Sequence, residues 1–154
     1  MTEDFLSGNN RAKPDFQLFD ITIKACTVAD NVTASDAFQA ESILRRMWSL
    51  HEDSGLNVRP QDTTYKYVIV GFKKAEMAQR AEELLYEMER KSVGKPSKSL
   101  FQTVINAWHD SRHPDKQQHL NSLRLAMIER FGPKTSSGNG NNSNSQRHNH
   151  NTGN

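Results

Sequence analysis

Apolar residues recur along this chain in short stripes of helical spacing. Tyr65, Val68, Ile69 and Phe72 stand at i, i+3, i+4 and i+7. After a largely polar break over 73–80, Ala81, Leu84, Leu85 and Met88 repeat the spacing. The pair of stripes returns downstream as Phe101, Val104, Ile105 and Trp108, then Leu120, Leu123 and Met127. It also precedes them, more weakly, as Phe19, Thr22, Ile23 and Cys26, then Ala40, Ile43, Leu44 and Met47. The opening aromatics are 46 residues apart (19 to 65) and then 36 (65 to 101). Polar insertions around "ADNVTASD" and "EDSGLNVR" account for the longer interval.

Each stripe has the period of an amphipathic helix. The pattern predicts six helices over 16–27, 34–51, 62–74, 77–92, 98–110 and 116–131. Asp62, Ser97 and Asp115 stand where helices should start and can cap free N–H groups. Pro60, Pro96 and Pro114 precede the same starts, where a continuing helix would break. No β-alternation of useful length occurs, so the expected class is all-α. A single pair of such helices buries too little apolar surface to offset the ordering of its backbone. Stacking of successive pairs supplies the rest, which is how an α-solenoid holds together. The expected architecture is therefore an α-solenoid of three helical hairpins over 14–131, with units at about 16–61, 62–97 and 98–131. The first helix has no evident polar cap, which predicts that further hairpins precede it. Residues 1–13 are then a remnant of a preceding unit or disordered.

Composition trims this picture. The chain has 154 residues, 34% of them hydrophobic, so its core is thin. After Gly132-Pro133 runs an Asn-, Ser-, Gly- and His-rich segment without a large apolar residue, and 132–154 is expected to be disordered. The single Cys26 excludes a disulfide framework and a thiolate zinc cage. No apolar run reaches the length of a membrane span, so no membrane partner is expected. The segment "MTEDFLSGNN" resembles neither a signal peptide nor a transit peptide. That points either to a cytosolic chain or to a start that is not the natural one. The 20 basic and 18 acidic residues nearly cancel, so any positive field must come from their placement.

The central stretch "DTTYKYVIVGFKKAEMAQRAEELLYEMERKSVGKPS" resembles a pentatricopeptide repeat. It has the Thr64-Tyr65 opening, Lys74-Ala75 between the helices, the Ala-x-x-Leu-Leu-x-x-Met run from Ala81 to Met88, and the closing Pro96. "SLFQTVINAW" is a second such opening, and "PDFQLFDITIKAC" to "AESILRRM" a looser third copy. The tetratricopeptide pattern of Trp, Leu-Gly, Tyr and Ala fits less well. The chain departs from the family where Ser92 replaces the glycine after the second helix, where one extra residue precedes Pro96, and where Arg124 interrupts the last stripe.

The resemblance implies single-stranded RNA as partner, one base read per repeat by two or three side chains. It implies work in organellar RNA processing, stability or translation, in a mitochondrion or plastid. Carried over by position, the residue after each opening aromatic is Asp20, Lys66 or Gln102. The residue after each closing proline is Asp15, Gln61 or Ser97. The side chains expected to flank bases are Gln17, Thr63 and Ser99. The usual Asn, Ser or Thr after the aromatic is absent, so the pattern specifies no target sequence.

In the middle unit Lys66, Lys73 and Lys74 lie on the first helix, and Glu76, Glu82, Glu83, Glu87 and Glu89 on or before the second. This is the polarity expected if first helices face RNA and second helices face water. A solvated helix using Glu and Lys for propensity and i,i+4 pairs has the same look. A degenerate array whose groove binds a protein partner is the alternative function.

Other chemistry is weakly supported. The aromatics share register with the core stripes and read as core rather than as base-stacking platforms. Cys26 reads as a small core residue with no base beside it. His109, His113 and His119 straddle a loop without an i,i+4 pair on one helix, so they read as solvated and not as a metal site. "SGNG" lacks the context of a phosphate loop. No nucleophile elbow, paired-acid site or dinucleotide fingerprint occurs. The expectation is a binding protein: no enzyme, no cofactor, no metal and no small-molecule substrate.

Overall fold

The computed structural model describes residues 15–133, and the expectations for 1–13 and for the tail from 134 onward lie outside them. The described residues form six helices and no strands. These are α1 (Phe16–Val28), α2 (Ala34–Ser54), α3 (Asp62–Lys74), α4 (Ala78–Arg90), α5 (Lys98–Asp110) and α6 (Lys116–Phe131). Short connections make α1/α2, α3/α4 and α5/α6 hairpins. Each hairpin packs internally, α1, α3 and α5 pack in succession, and α2 and α4 each also pack on the following first helix.

The starts of the three first helices obey one rule. Asp15, Gln61 and Ser97 are their N-caps, and each helix is 13 residues long. Asp15 Oδ1 accepts from Gln17 N (3.2 Å), and Ser97 Oγ accepts from Leu100 N (3.2 Å). At α3 the cap is Gln61 rather than the expected Asp62, and Gln61 N donates to Thr64 Oγ1 (3.2 Å). Pro60 and Pro96, both buried, lie immediately before two of these caps. At α2, Thr33 and Asp36 form a reciprocal capping box. Asp115 occupies the cap position of α6, but its side chain makes no capping bond.

Left-handed residues set the ends of α2, α3 and α4. Gly55 (φ 62°) stops α2 three residues beyond the expected end, because the polar run His51–Ser54 continues the helix without adding to the apolar stripe. After α3, Met77 N reaches Phe72 O (2.9 Å) and Glu76 N reaches Lys73 O (3.1 Å). After α4, Val93 N reaches Met88 O (3.1 Å) and Ser92 N reaches Glu89 O (3.0 Å). Both are Schellman turns, which need one left-handed residue. Here those residues are Glu76 (φ 59°) and Ser92 (φ 53°). A Cβ in that region is strained, so glycine would be favoured at each.

The stripes form one core. Tyr65, Val68, Ile69 and Phe72 of α3 are fully buried, as are Ala81, Leu84 and Leu85 of α4. Phe101, Val104 and Trp108 of α5 are also fully buried, and Ile105 nearly so. Met47 and Met88 are buried at the ends of the second-helix stripes. The weaker first copy packs less deeply: Ile23 is buried, while Phe19 and Cys26 are half-buried against the core. The tightest approach is between α1 and α3. A Cβ on Gly71 would come within 2.7 Å of Thr27 Cγ2 and 3.3 Å of Thr27 Cβ. Thr27 cannot readily turn aside, because it is buried and its Oγ1 donates to Ile23 O (3.0 Å).

Two substitutions test these backbone arguments in urea unfolding. Gly71→Ala gains about 1 kcal/mol of helix propensity. It should nevertheless destabilise the fold by a net ~1–2 kcal/mol, through overpacking against Thr27. Ser92→Gly should stabilise by about 0.5–1 kcal/mol, through relief of left-handed strain.

Candidate nucleic-acid interface

The N-cap register aligns the candidate residues of the three first helices. Gln17, Thr63 and Ser99 are each the second helical residue, and Asp20, Lys66 and Gln102 each the fifth. Since α1, α3 and α5 pack in succession, these residues form rows across three neighbouring helices. Gln17, Thr63, Ser99, Lys66 and Gln102 are exposed, as are Asp15, Gln61 and Ser97.

Several candidate groups are already engaged. Asp20 Oδ1 accepts from Thr64 Oγ1 of the next first helix (3.2 Å). Gln102 Nε2 donates to Asn106 Oδ1 (3.0 Å) within α5. Ser97 serves as a cap, and Ser99 O accepts from Thr103 Oγ1. Lys74 differs most from expectation: its Nζ donates to Val28 O and Ala29 O, both at 2.9 Å. Its charge sits at the C-terminal end of α1, where the helix dipole favours a cation. Lys66 is exposed and Lys73 half-buried, and neither forms an ion pair among the described residues. Lys24, which the positional pattern passes over, lies on the same row of helices with Nζ 5.8 Å from the Tyr67 ring centroid. Its signal was tertiary, since Lys24 and Tyr67 are 43 residues apart.

The acidic residues of α4 do not simply face water. Trp48 Nε1 donates to Tyr65 Oη (2.9 Å), and Tyr65 Oη donates to Glu87 Oε1 (2.7 Å). Arg45 Nη2 donates to Glu87 Oε2 (2.8 Å) and to Glu41 Oε1 (2.9 Å). Arg80 Nε donates to Glu41 Oε2 (3.1 Å), so the network runs from α2 through α3 to α4. Glu82 accepts from Trp108 Nε1 (2.6 Å) and pairs with His119 Nδ1 (2.8 Å). Glu89 forms a two-pronged pair with Arg130 of α6 (2.9 and 2.8 Å).

Of the three histidines about this loop, His109 and His113 are exposed, as their spacing suggests, and His119 is half-buried. His119 stacks on Trp108, with ring centroids 4.0 Å apart, and His113 meets Trp108 edge-on at 5.7 Å. His109 Nε2 lies 2.9 Å from Arg124 Nη2. No group of three metal-ligating side chains occurs among the described residues.

Electrostatics follow from this network. Burial pushes the Tyr65 hydroxyl well above its ordinary pKa, and its bond to the Glu87 carboxylate adds to the shift, so Tyr65 stays protonated. Burial alone would also raise Glu87, but donation from Arg45 and then Tyr65 outweighs it and holds the carboxyl below the ordinary range. Glu89 is lowered by its bonds from Arg130. One concave feature, lined by Lys95 and Arg130 with Glu89, is mixed in charge, and another lies among the acids of α4. A groove of about 280 Å³ is lined by Gln79, Glu82, Glu83, Tyr86, Arg90 and His119. Its carboxylates disfavour a polyanion there.

No family model, no curated protein and no solved structure matches this chain. Among the described residues, no helix is long and apolar enough to cross a membrane.

A carboxylate whose folded pKa is depressed contributes stability that is full above its unfolded value and is lost as pH falls through its folded value. Glu87 and Glu89 both shift in that direction. Stability in urea should therefore be level near neutrality and fall below about pH 4.3, the ordinary glutamate value. Glu87→Gln should lower stability at pH 7 and make the acid-side fall shallower.

Proposed function

We propose that this chain is a short pentatricopeptide-type α-solenoid that binds single-stranded RNA along the exposed face of α1, α3 and α5. Its work is binding and shielding in organellar RNA processing, stability or translation, without catalysis. One observation carries the reading. Three first helices of equal length, with N-caps in one register, pack in succession and keep Gln17, Thr63 and Ser99, with Lys66 and Gln102, exposed at equivalent positions. Side chains near helix starts can reach splayed base edges, and successive helices set the spacing of such sites. Lys24, Lys66 and Lys73 supply contacts to phosphate. Lys66 is a compact charge with little power to discriminate bases. Asp20 accepts from Thr64 and carries a negative charge near the expected backbone path. The binding is accordingly weak in sequence preference.

A protein partner in the same groove is the second reading. It is favoured by the engagement of Asp20 and Lys74 in contacts between helices.

An electrophoretic shift with random-sequence single-stranded RNA at two salt concentrations tests the proposal. Binding should fall within the nonspecific range of about 10⁻⁴ to 10⁻⁶ M, and the logarithm of affinity should fall linearly with log salt. Joint replacement of Lys24, Lys66 and Lys73 by Ala should reduce that slope by about 2, at ~0.7 per phosphate contact. Lys74→Ala is not an RNA test, because it removes the cation from the end of α1. No binding up to about 10⁻⁴ M would overturn the RNA reading in favour of a protein partner.

A further inference from the structure

Tyr65, Phe72, Phe101 and Trp108 of the core stripes are fully buried, and Tyr67 lies outside their register. It is half-buried, on the side of α3 that faces α1. It follows the exposed Thr63 by one helical turn, so the two lie along one face. Its hydroxyl enters no hydrogen bond among the described residues. No buried side-chain polar atom there lacks a partner, so the Tyr67 hydroxyl reaches the surface. Tyr65 is the contrast, because its hydroxyl is engaged between Trp48 and Glu87.

Over this ring lies Lys24 of α1, with Nζ 5.8 Å from the centroid. That is near the outer limit of a cation–π contact, and Lys24 itself is exposed. Lys24 is the ninth residue of its helix and Tyr67 the sixth of the next. The same two positions in the following seam are Val70 on α3 and Thr103 on α5. Between the three first helices, ring and cation therefore meet only in the α1/α3 seam. The exposed Lys66 adjoins Tyr67 in the chain, and the nearby acid, Asp20, accepts from Thr64. A ring between two lysines disfavours a flat cation. It suits a flat ligand that brings its own negative charge, which is the chemistry of a nucleotide.

We propose that Tyr67 is a stacking platform for one unpaired base of single-stranded RNA, and that Lys24 leaves the ring to meet that nucleotide's phosphate. The inference rests on the RNA reading of this face and adds a site that its rows of polar residues do not contain. Magnitudes favour the exchange. An exposed cation–π contact shifts an equilibrium by about 2- to 5-fold. A base stacked on an aromatic side chain shifts binding by about 5- to 150-fold. Lys24 gives up the smaller contact and gains a phosphate. Stacking accepts any base, which suits an array whose polar residues specify no sequence. It requires a free base face, so the site takes single strands and not a duplex.

The test uses the full chain and two end-labelled probes of equal length, oligoadenylate RNA and an abasic ribose-phosphate chain, with binding read by fluorescence anisotropy at low salt. Phosphate contacts hold both probes, and stacking holds only the first. Wild type should prefer the RNA. Tyr67→Leu should weaken RNA binding by about 5-fold or more, and should leave the abasic affinity and the salt slope as they were. Tyr67→Phe keeps the ring and should restore the preference. Circular dichroism with a thermal melt checks that each variant folds. A second measurement needs no variant: RNA carrying iodouridine, irradiated in complex with wild type, should cross-link to Tyr67, located by mass spectrometry of the peptides. Equal wild-type affinity for the two probes, a folded Tyr67→Leu variant that binds RNA as wild type does, or cross-links only at other residues would each overturn the stacking site and leave a phosphate-held RNA standing. Binding of neither probe would overturn both.

Discussion

The approach of α1 to α3 at Gly71 governs how the first helices lie together. With no Cβ on Gly71, the methyl group of Thr27 fits against the α3 backbone. That closeness brings Thr64 within reach of Asp20 and lets Lys74 cap the carbonyls at the end of α1. Contacts at both ends of these 13-residue helices thus depend on one missing methyl. The α3–α5 seam lacks this device and uses Ala107, the next smallest residue, at the matching position. Small residues at this point in both seams keep the three helices side by side, and so keep their starts on a common face.

The second helices are held by a different kind of contact. No backbone approach joins α2 to α4 or α4 to α6, so long charged side chains bridge the gaps. Arg45 and Arg80 meet Glu87 and Glu41 across the first gap, and Arg130 meets Glu89 across the second. The Glu87 pair is the more consequential, because its carboxylate also accepts the buried Tyr65 hydroxyl. Loss of that carboxylate would strand a polar group inside the core, which costs more than an exposed ion pair contributes. Among the described residues, no buried side-chain polar atom lacks a partner.

Most of the secondary structure was legible because local signals agreed. The expected bounds of α3, α5 and α6 match residue for residue, with a proline or cap residue at each start. The end of α2 was misplaced because the apolar stripe stops before the helix does, although Gly55 marked the stop. The candidate rows 17/63/99 and 20/66/102 were legible as positions, since they are counted from aromatics that the core fixes. Their chemical state was not. Nothing local in the sequence says that Lys74 will reach a carbonyl 46 residues earlier, or that Glu41 will accept from Arg80. The glutamates of α4 have the composition of a solvated helix, and only the neighbouring helices turn them into bridges.

This division of labour bears on where a polyanion can go. Glu82, Glu87 and Glu89 hold the second-helix side together, and Glu82 and Glu83 line the 280 Å³ groove there, beside Arg90 and His119. Structural use of acids therefore biases that surface against phosphate. The first-helix face has the opposite history. Its acids are Asp20, tied to Thr64, and the exposed Asp15 and Asp62 at the helix starts, while Lys24, Lys66 and Lys73 enter no ion pair among the described residues. An overall charge close to neutral can then coexist with a basic face, because the compensating acids are spent on contacts between second helices. For a ligand that meets the chain from outside, the local field of each face matters more than the total.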